Sequence, residues 1–230
     1  MIRLIGVVVP AHNEEDLLPA CLASLRRAAR ALRGGPAHLV VVADACRDRT
    51  AQVARHGGAA VVTTRARSVG VARAAGVREV LRRAGALSPA DVWVATTDAD
   101  TLVPAGWLRE HLRYANEGWD AVAGTVEVTD WSGYRPEARS LFRECYRTGS
   151  GPHPHVHGAN LGFRAAAYLR AGGFPEVPTA EDHALVTALA ATGGRVHRTR
   201  ALSVVTSARR EARAPDGFSR YLAKLDAAPA

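Results

Sequence analysis

The hydrophobic positions along the chain follow two rhythms. "LIGVVV" (4–9), "HLVVVAD" (38–44), "AAVVTT" (59–64) and "DVWVATT" (91–97) are short, nearly unbroken apolar runs rich in β-branched residues. Such runs suit strands covered on both faces. Between them the apolar residues recur at helical spacing. Residues 14 to about 33 carry Leu17, Leu18, Leu22 and Leu25 on one face. Residues 48–56 and 68–83 read as further helices, closed by Gly57 and Gly58 and by Gly85. Strand and helix alternating at this interval imply right-handed crossovers and a mostly parallel central sheet flanked by helices.

The second half is less regular. A helix is expected over 104–118, a strand over 120–128 and a helix over 135–148. A Gly/Pro/His loop (148–160) follows, then a helix over 180–191, a strand over 201–206 and a short amphipathic helix over 217–225. No repeat or low-complexity linker divides the chain. One domain over 1–230 is expected, its two halves sharing one sheet: about 1–100, about 101–206, and a basic tail at 207–230.

Composition changes this picture little. With 230 residues, 47% hydrophobic and 23% charged, the chain is an ordinary globular protein. The net charge of +8 is carried by arginines, Lys224 being the only lysine. They are spread over several helices rather than massed in one tract, which disfavours nucleic acid and favours an anionic ligand. The densest group, Arg209, Arg210 and Arg213, is suited to steering a polyphosphate or meeting an anionic membrane. Cys21, Cys46 and Cys145 are odd in number and widely spaced, as expected of reduced thiols in a cytoplasmic protein. The N-terminal apolar run meets His12, Asn13, Glu14 and Glu15 at once, so it reads as a strand and not a leader. No stretch approaches the roughly 20 apolar residues of a membrane span.

Chemistry gathers where the strands end. Ligands of open α/β sheets bind at the carboxyl ends of the strands, and Asn13, Asp44 and Asp98 all lie just past such ends. The Pro10–Glu14 turn is suited to holding a base or ribose; Glu14 and Glu15 equally suit the first turn of a helix. Asp44 can accept from a base N–H, and Asp48 can cap the next helix. Asp98 and Asp100, two apart on an extended segment, would point the same way. Two such carboxylates repel unless a cation lies between them, and hard oxygens suit Mg²⁺ or Mn²⁺. The same pair also fits a solvated turn, with Asp100 capping the helix from Pro104. "DADT" also matches the D-x-D-x-T of haloacid-dehalogenase-type phosphatases. His153, His155 and His157 form an H-x-H-x-H that fits zinc in an extended strand; the prolines between them favour a mobile lid.

Six segments in order carry a family resemblance: "VVVPAHNEE", "VVADACRDRT", "SVGVARAAGV", "TTDADT", "HGANLGFR" and "TAEDHAL". Together they resemble the family 2 glycosyltransferases of GT-A fold, over roughly residues 4–206. The resemblance implies a small, single-transfer enzyme moving a sugar from a UDP- or GDP-sugar to a hydroxyl acceptor, with inversion and with Mn²⁺ or Mg²⁺. The acceptor would be a small molecule or lipid-linked, the latter met through peripheral contact with the inner membrane face. It implies that Pro10, Asn13 and Glu14 contact the nucleotide, that Asp44 reads the base and that Arg73 lies near the diphosphate. Asp100 would hold the metal, and Asp98 would lie nearer the ribose. Glu181 and Asp182 match the Glu-Asp motif whose aspartate is the general base, and His183 beside it is suited to tuning it. His157, Gly158 and Asn160 would line the donor–acceptor pocket ahead of a helix. Two departures stand out. The chain reads Asp44-Ala45-Cys46 where many relatives read aspartate-glycine-serine. The late metal-binding histidine of many relatives is replaced by Thr206 and Ser207, so Arg209 and Arg210 are expected to take over part of the diphosphate binding. The processive Q-x-x-R-W signature is absent. A nucleotidyltransferase, expected to open on a glycine-rich loop, and a nucleotide-sugar-binding protein without catalysis are the remaining alternatives.

Overall fold

A computed structural model describes residues 1–32, 37–147, 153–210 and 217–227. The Cys145 side chain, Arg213 and residues 148–152 of the expected loop lie outside the described residues.

The unbroken apolar runs are the sheet. β1 (Leu4–Ala11), β2 (Ala37–Asp44), β3 (Ala60–Thr64) and β4 (Val92–Thr96) pair in parallel in the order β3-β2-β1-β4. Val7, Val8, Val9, Val40, Val41 and Val42 are wholly buried, so both faces of these strands are covered. α1 (Leu18–Arg30) and α2 (Thr50–His56) belong to one side, and α3 (Val69–Ala84) lies on the other. Gly76 lets α3 approach the sheet closely: a Cβ there would lie 2.3 Å from a Val8 methyl.

Strands from the second half complete the same sheet. β5 (Thr101–Leu102), β6 (Ala121–Glu127), β7 (Leu161–Arg164) and β8 (Val196–Thr206) extend it as β4-β7-β6-β8-β5. β7 runs antiparallel between β4 and β6, and β6 and β8 are parallel. α4 (Trp107–Asn116), α5 (Pro136–Arg147), α6 (Ala165–Arg170), α7 (Glu181–Ala191) and α8 (Phe218–Ala227) are the remaining helices.

Four expectations are corrected. The first helix starts at Leu18, not at residue 14, because Pro19 has no N–H to donate and its ring is tolerated only in a helix's first turn. Thr101–Leu102 is a strand; it pairs with Thr206 and Val205, where distance along the chain hides it. "LGFR" is strand β7, which stands between Asn160 and the following helix. From His153 onward the histidine segment is held and is not a lid: His153 Nε2 lies 3.2 Å from the carbonyls of Ala123 and of Thr199. The three rings stack at 5.9 and 6.0 Å and do not converge on a point. Among the described residues no three His, Cys, Asp or Glu side chains gather to hold a metal ion, and no helix is long and apolar enough to cross a membrane.

Candidate active site

The C-terminal ends of β1, β2 and β4 open onto a cleft of about 770 Å³. Pro10, His12, Glu14, Asp44, Asp98 and Asp100 line it from the sheet. Arg67, Ser68 and Arg73 line it from α3 and the turn before it. His157, Gly158, Glu181 and Asp182 come from the second half, and Arg209, Phe218 and Tyr221 close it.

The turns after β1 and β2 are laced together. The Glu14 N–H donates to Thr50 Oγ1 at 2.8 Å and the Glu15 N–H to Asp48 Oδ2 at 3.1 Å. Asp48 Oδ1 also accepts from the Thr50 N–H at 3.0 Å, as expected of a capping residue. Burial pushes the Asp48 pKa up, but these donors outweigh it and hold the carboxyl below its ordinary value. Asn13, at φ 52°, takes the Arg47 N–H on Oδ1 at 2.8 Å, while its own N–H donates to Cys46 Sγ at 3.4 Å. It therefore joins the two turns; it is not among the cleft-lining residues. Cys46 and Cys21 are free thiols.

Asp44 lines the cleft, yet its carboxylate is already used. It accepts from Thr64 Oγ1 at 2.9 Å, from the Ala66 N–H at 2.8 Å and from the Ser68 N–H at 2.9 Å. These bonds fold residues 64–68 around it, holding Arg67 at φ 50° and setting Ser68 to cap α3. Asp44 thus shapes the loop as well as facing the cleft.

Asp98 and Asp100 do not lie on an extended segment. A turn from the Asp98 carbonyl to the Thr101 N–H, 3.1 Å, separates them, and each carboxylate faces its own arginine. Arg73 donates to Asp98 Oδ1 at 2.6 Å and also pairs with Glu181. Arg209 pairs with Asp100 Oδ2 and reaches Glu14 Oε1 at 2.7 Å. Arg73 is buried, and its guanidinium packs on Gly158, where a Cβ would come within 2.3 Å. Burial disfavours its charge, but Asp98 and Glu181 outweigh that and raise its pKa. The Asp100 and Glu181 carboxyls are themselves raised by burial, which the arginines offset in part. Arg73 is therefore a bracket between the two halves of the molecule.

Asp182 sits in the first turn of α7. Oδ2 accepts from the Gly158 N–H at 2.7 Å and Oδ1 from the His183 N–H at 2.8 Å. Ala180, in the left-handed region at φ 60°, turns the chain into that helix. His157 lies beside it with its ring edge-on to Phe218 at 5.7 Å, and burial holds its pKa down to about 4.

Two more expected residues, besides Asn13, lie outside the cleft. Asn160 is fully buried, donating to the Thr125 and Leu202 carbonyls and accepting from Trp107 Nε1 at 2.9 Å, so it fastens the sheet beneath the cleft. Arg210 turns away to Asp226 and the Gly133 carbonyl. Sequence reasoning passed over Arg67, whose place in a turn carries no periodic signal. It also passed over Phe218 and Tyr221, although their spacing of three on an amphipathic helix marks an apolar face.

An open α/β sheet with an acidic cluster at its strand ends and a helix-borne carboxylate opposite a buried arginine defines a GT-A-type glycosyltransferase fold. The solved structures agree. S. aureus TarS, in complex with UDP-GlcNAc, superposes with a TM-score of 0.67 at 18% identity, over 98% of this chain and 66% of that one. A mannosyltransferase from Pyrobaculum calidifontis, in complex with GDP-Man and Mn²⁺, gives a TM-score of 0.64 at 22% identity, over 94% and 59%. The chain belongs to Glycosyl transferase family 2, whose profile matches residues 6–170; this sets aside the phosphatase reading of 98–101. A dolichyl-phosphate hexose transferase of Haloferax volcanii is 34% identical over 120 residues, 52% of this chain and 46% of that protein. An undecaprenyl-phosphate 4-deoxy-4-formamido-L-arabinose transferase of Pseudomonas paraeruginosa is 30% identical over 164 residues, 70% and 46%. The chain thus spans about half the length of these two relatives.

Proposed function

We propose that the protein transfers a hexosyl group from a nucleoside diphosphate sugar to a hydroxyl acceptor, with inversion at the anomeric carbon. The observation that carries this reading is that one cleft joins the turns after β1 and β2, the Asp98–Asp100 pair and Asp182. The turn after β1 and the loop wrapped on Asp44 receive the nucleoside. Arg67 and Arg209 face the diphosphate.

A divalent ion fits the acidic pair. Asp98 Oδ1 and Asp100 Oδ2 are engaged by arginine, which leaves Asp98 Oδ2 and Asp100 Oδ1 as hard donors. Two carboxylates completed by phosphate oxygens and water are a common setting for Mg²⁺ or Mn²⁺. When bound, the ion supplies charge stabilisation to the leaving diphosphate. Asp182 takes the acceptor proton as the hydroxyl attacks, and the Gly158 N–H holds that carboxylate in orientation. Arg73 keeps Asp98 and Glu181 in register, so that donor and acceptor sides stay aligned.

A second reading rests on the polyprenyl-phosphate relatives and on the aromatic wall of Phe218, Tyr221 and His157. The acceptor there is a lipid phosphate, reached at the membrane surface, and its oxygen is already anionic and needs no base. One variant separates the two readings. Asp182→Asn is expected to bind UDP or GDP as the wild type does, in calorimetric titrations with and without Mn²⁺. It should lose about 100-fold or more in transfer to a hydroxyl. Wild-type transfer to a lipid phosphate by this variant would remove Asp182 as base and favour the second reading.

A further inference from the structure

Two guanidiniums serve four carboxylates at the floor of the cleft. Arg73 is fixed: it is buried, bridges Asp98 and Glu181, and packs on Gly158. Arg209 is placed differently. It follows the end of β8, its side chain is 19% exposed, and it rests on Asp100 from one side and Glu14 from the other. Its backbone is anchored apart from its side chain, the Arg209 N–H donating to Ser207 Oγ at 3.2 Å and Tyr134 Oη to the Arg209 carbonyl at 3.3 Å. The head group can therefore leave without unfolding the strand end. A second cavity, lined by Asp100, Asp130, Ser132, Tyr134 and Arg210, adjoins it and gives the side chain somewhere to go.

Of the acidic pair suited to a divalent cation, the Asp100 carboxylate is already held by a two-pronged contact, Arg209 meeting Oδ2 through Nε at 3.0 Å and through a second guanidinium nitrogen. Building on the metal–diphosphate reading above, we infer that Arg209 is a resident cation at the Asp100 carboxylate. A divalent ion must displace it to take Asp100 fully. The protein then binds metal weakly until Arg209 is drawn off, as by the diphosphate of an incoming donor. Asp100 is thereby kept from standing as an uncompensated charge in the empty cleft.

The test is Mn²⁺ binding without nucleotide, read from the free-ion paramagnetic signal, for wild type, Arg209→Gln and Arg209→Lys. A charge-assisted contact of this kind is expected to hold Mn²⁺ affinity down by on the order of tenfold or more. Arg209→Gln should bind Mn²⁺ tighter by that factor. Arg209→Lys keeps the charge but cannot span Glu14 and Asp100 together, so it should tighten binding by a smaller, measurable factor. Equal or weaker Mn²⁺ binding by Arg209→Gln overturns the inference, as does absence of Mn²⁺ binding to all three proteins. A Lys variant that matches wild type beside a tight Gln variant reduces Arg209 to a distant charge and overturns it too. If Arg209→Gln does not fold, the Lys variant alone decides, no gain counting against. Titration of UDP and GDP onto the wild type in EDTA and in Mn²⁺ tests the donor reading separately. Failure of both nucleotides under both conditions sinks that reading whichever way the Mn²⁺ comparison falls.

Discussion

Acid should weaken this fold through one residue in particular. His111 of α4 is fully buried between two indoles, edge-on to Trp107 at 4.6 Å and tilted over Trp93 at 6.2 Å. It presses on Gly162 of β7, where a Cβ would lie 2.4 Å from its Nδ1. Neither ring nitrogen has a hydrogen-bond partner. Burial alone therefore holds its pKa down to about 3. Unfolded, the same imidazole titrates near 6.5. Above that pH it is neutral in both states and costs nothing further. As pH falls below it, the unfolded chain takes a proton that the folded one refuses, and stability drops by about 1.4 kcal/mol per unit. At pH 5 the loss from this one ring is about 2 kcal/mol. His111→Leu removes the titration and the two orphaned nitrogens, in exchange for the aromatic contacts. Urea unfolding followed by circular dichroism, for wild type and variant at pH 7.5 and pH 5, isolates the effect, because His153, His157 and His197, all pushed down by burial, are common to both. The variant should be at least as stable as wild type at pH 7.5 and should gain about a further 2 kcal/mol on it at pH 5. A difference between the two proteins that is the same at both pH values would refute the reasoning.

Two further substitutions probe the site's supports. Gly158→Ala drives a methyl into the buried Arg73 guanidinium and should cut transfer by about 100-fold and lower stability in urea unfolding by about 1–3 kcal/mol; unimpaired transfer would show that the Arg73 bracket is not needed. Asn160→Ala strips three buried hydrogen bonds from β6, β8 and Trp107 and should destabilise by about 3 kcal/mol in urea unfolding. A loss of activity from Asn160→Ala with unchanged stability would return this residue to the cleft.

The parallel half of the sheet was legible because burial on both faces writes itself into sequence as an unbroken apolar run. β1, β2 and β4 stand within about two residues of where "LIGVVV", "HLVVVAD" and "DVWVATT" place them. Topology then delivers Asp44, Asp98 and Asp100 to one edge, since every parallel strand ends on the same side. β5 and β7 were not legible. Two and four residues are too short for a period to show, and each is stabilised by partners far along the chain, Thr101 by Thr206 and Phe163 by Val94 and Ala121.

What the acidic residues do was harder to read than where they lie. Repulsion between Asp98 and Asp100 calls for a cation, and spacing favours a shared one. In the fold, two different cations already answer that need, and they come from positions 25 and 109 residues away. The same holds for Arg73 and Glu181, which are 108 residues apart. Ion pairs of this separation are fixed by the order of strands in the sheet, and no local pattern encodes them. Motif reasoning could therefore name every carboxylate of the cluster and still misjudge its state. An acidic pair at the end of a buried strand is costly to leave bare, so an empty site is expected to draw in whichever arginine the fold brings within reach. Arg209 takes that place here because the chain after β8 returns past Asp100. A guanidinium at that return occupies Asp100 without altering any of the carboxylates by which the site is recognised.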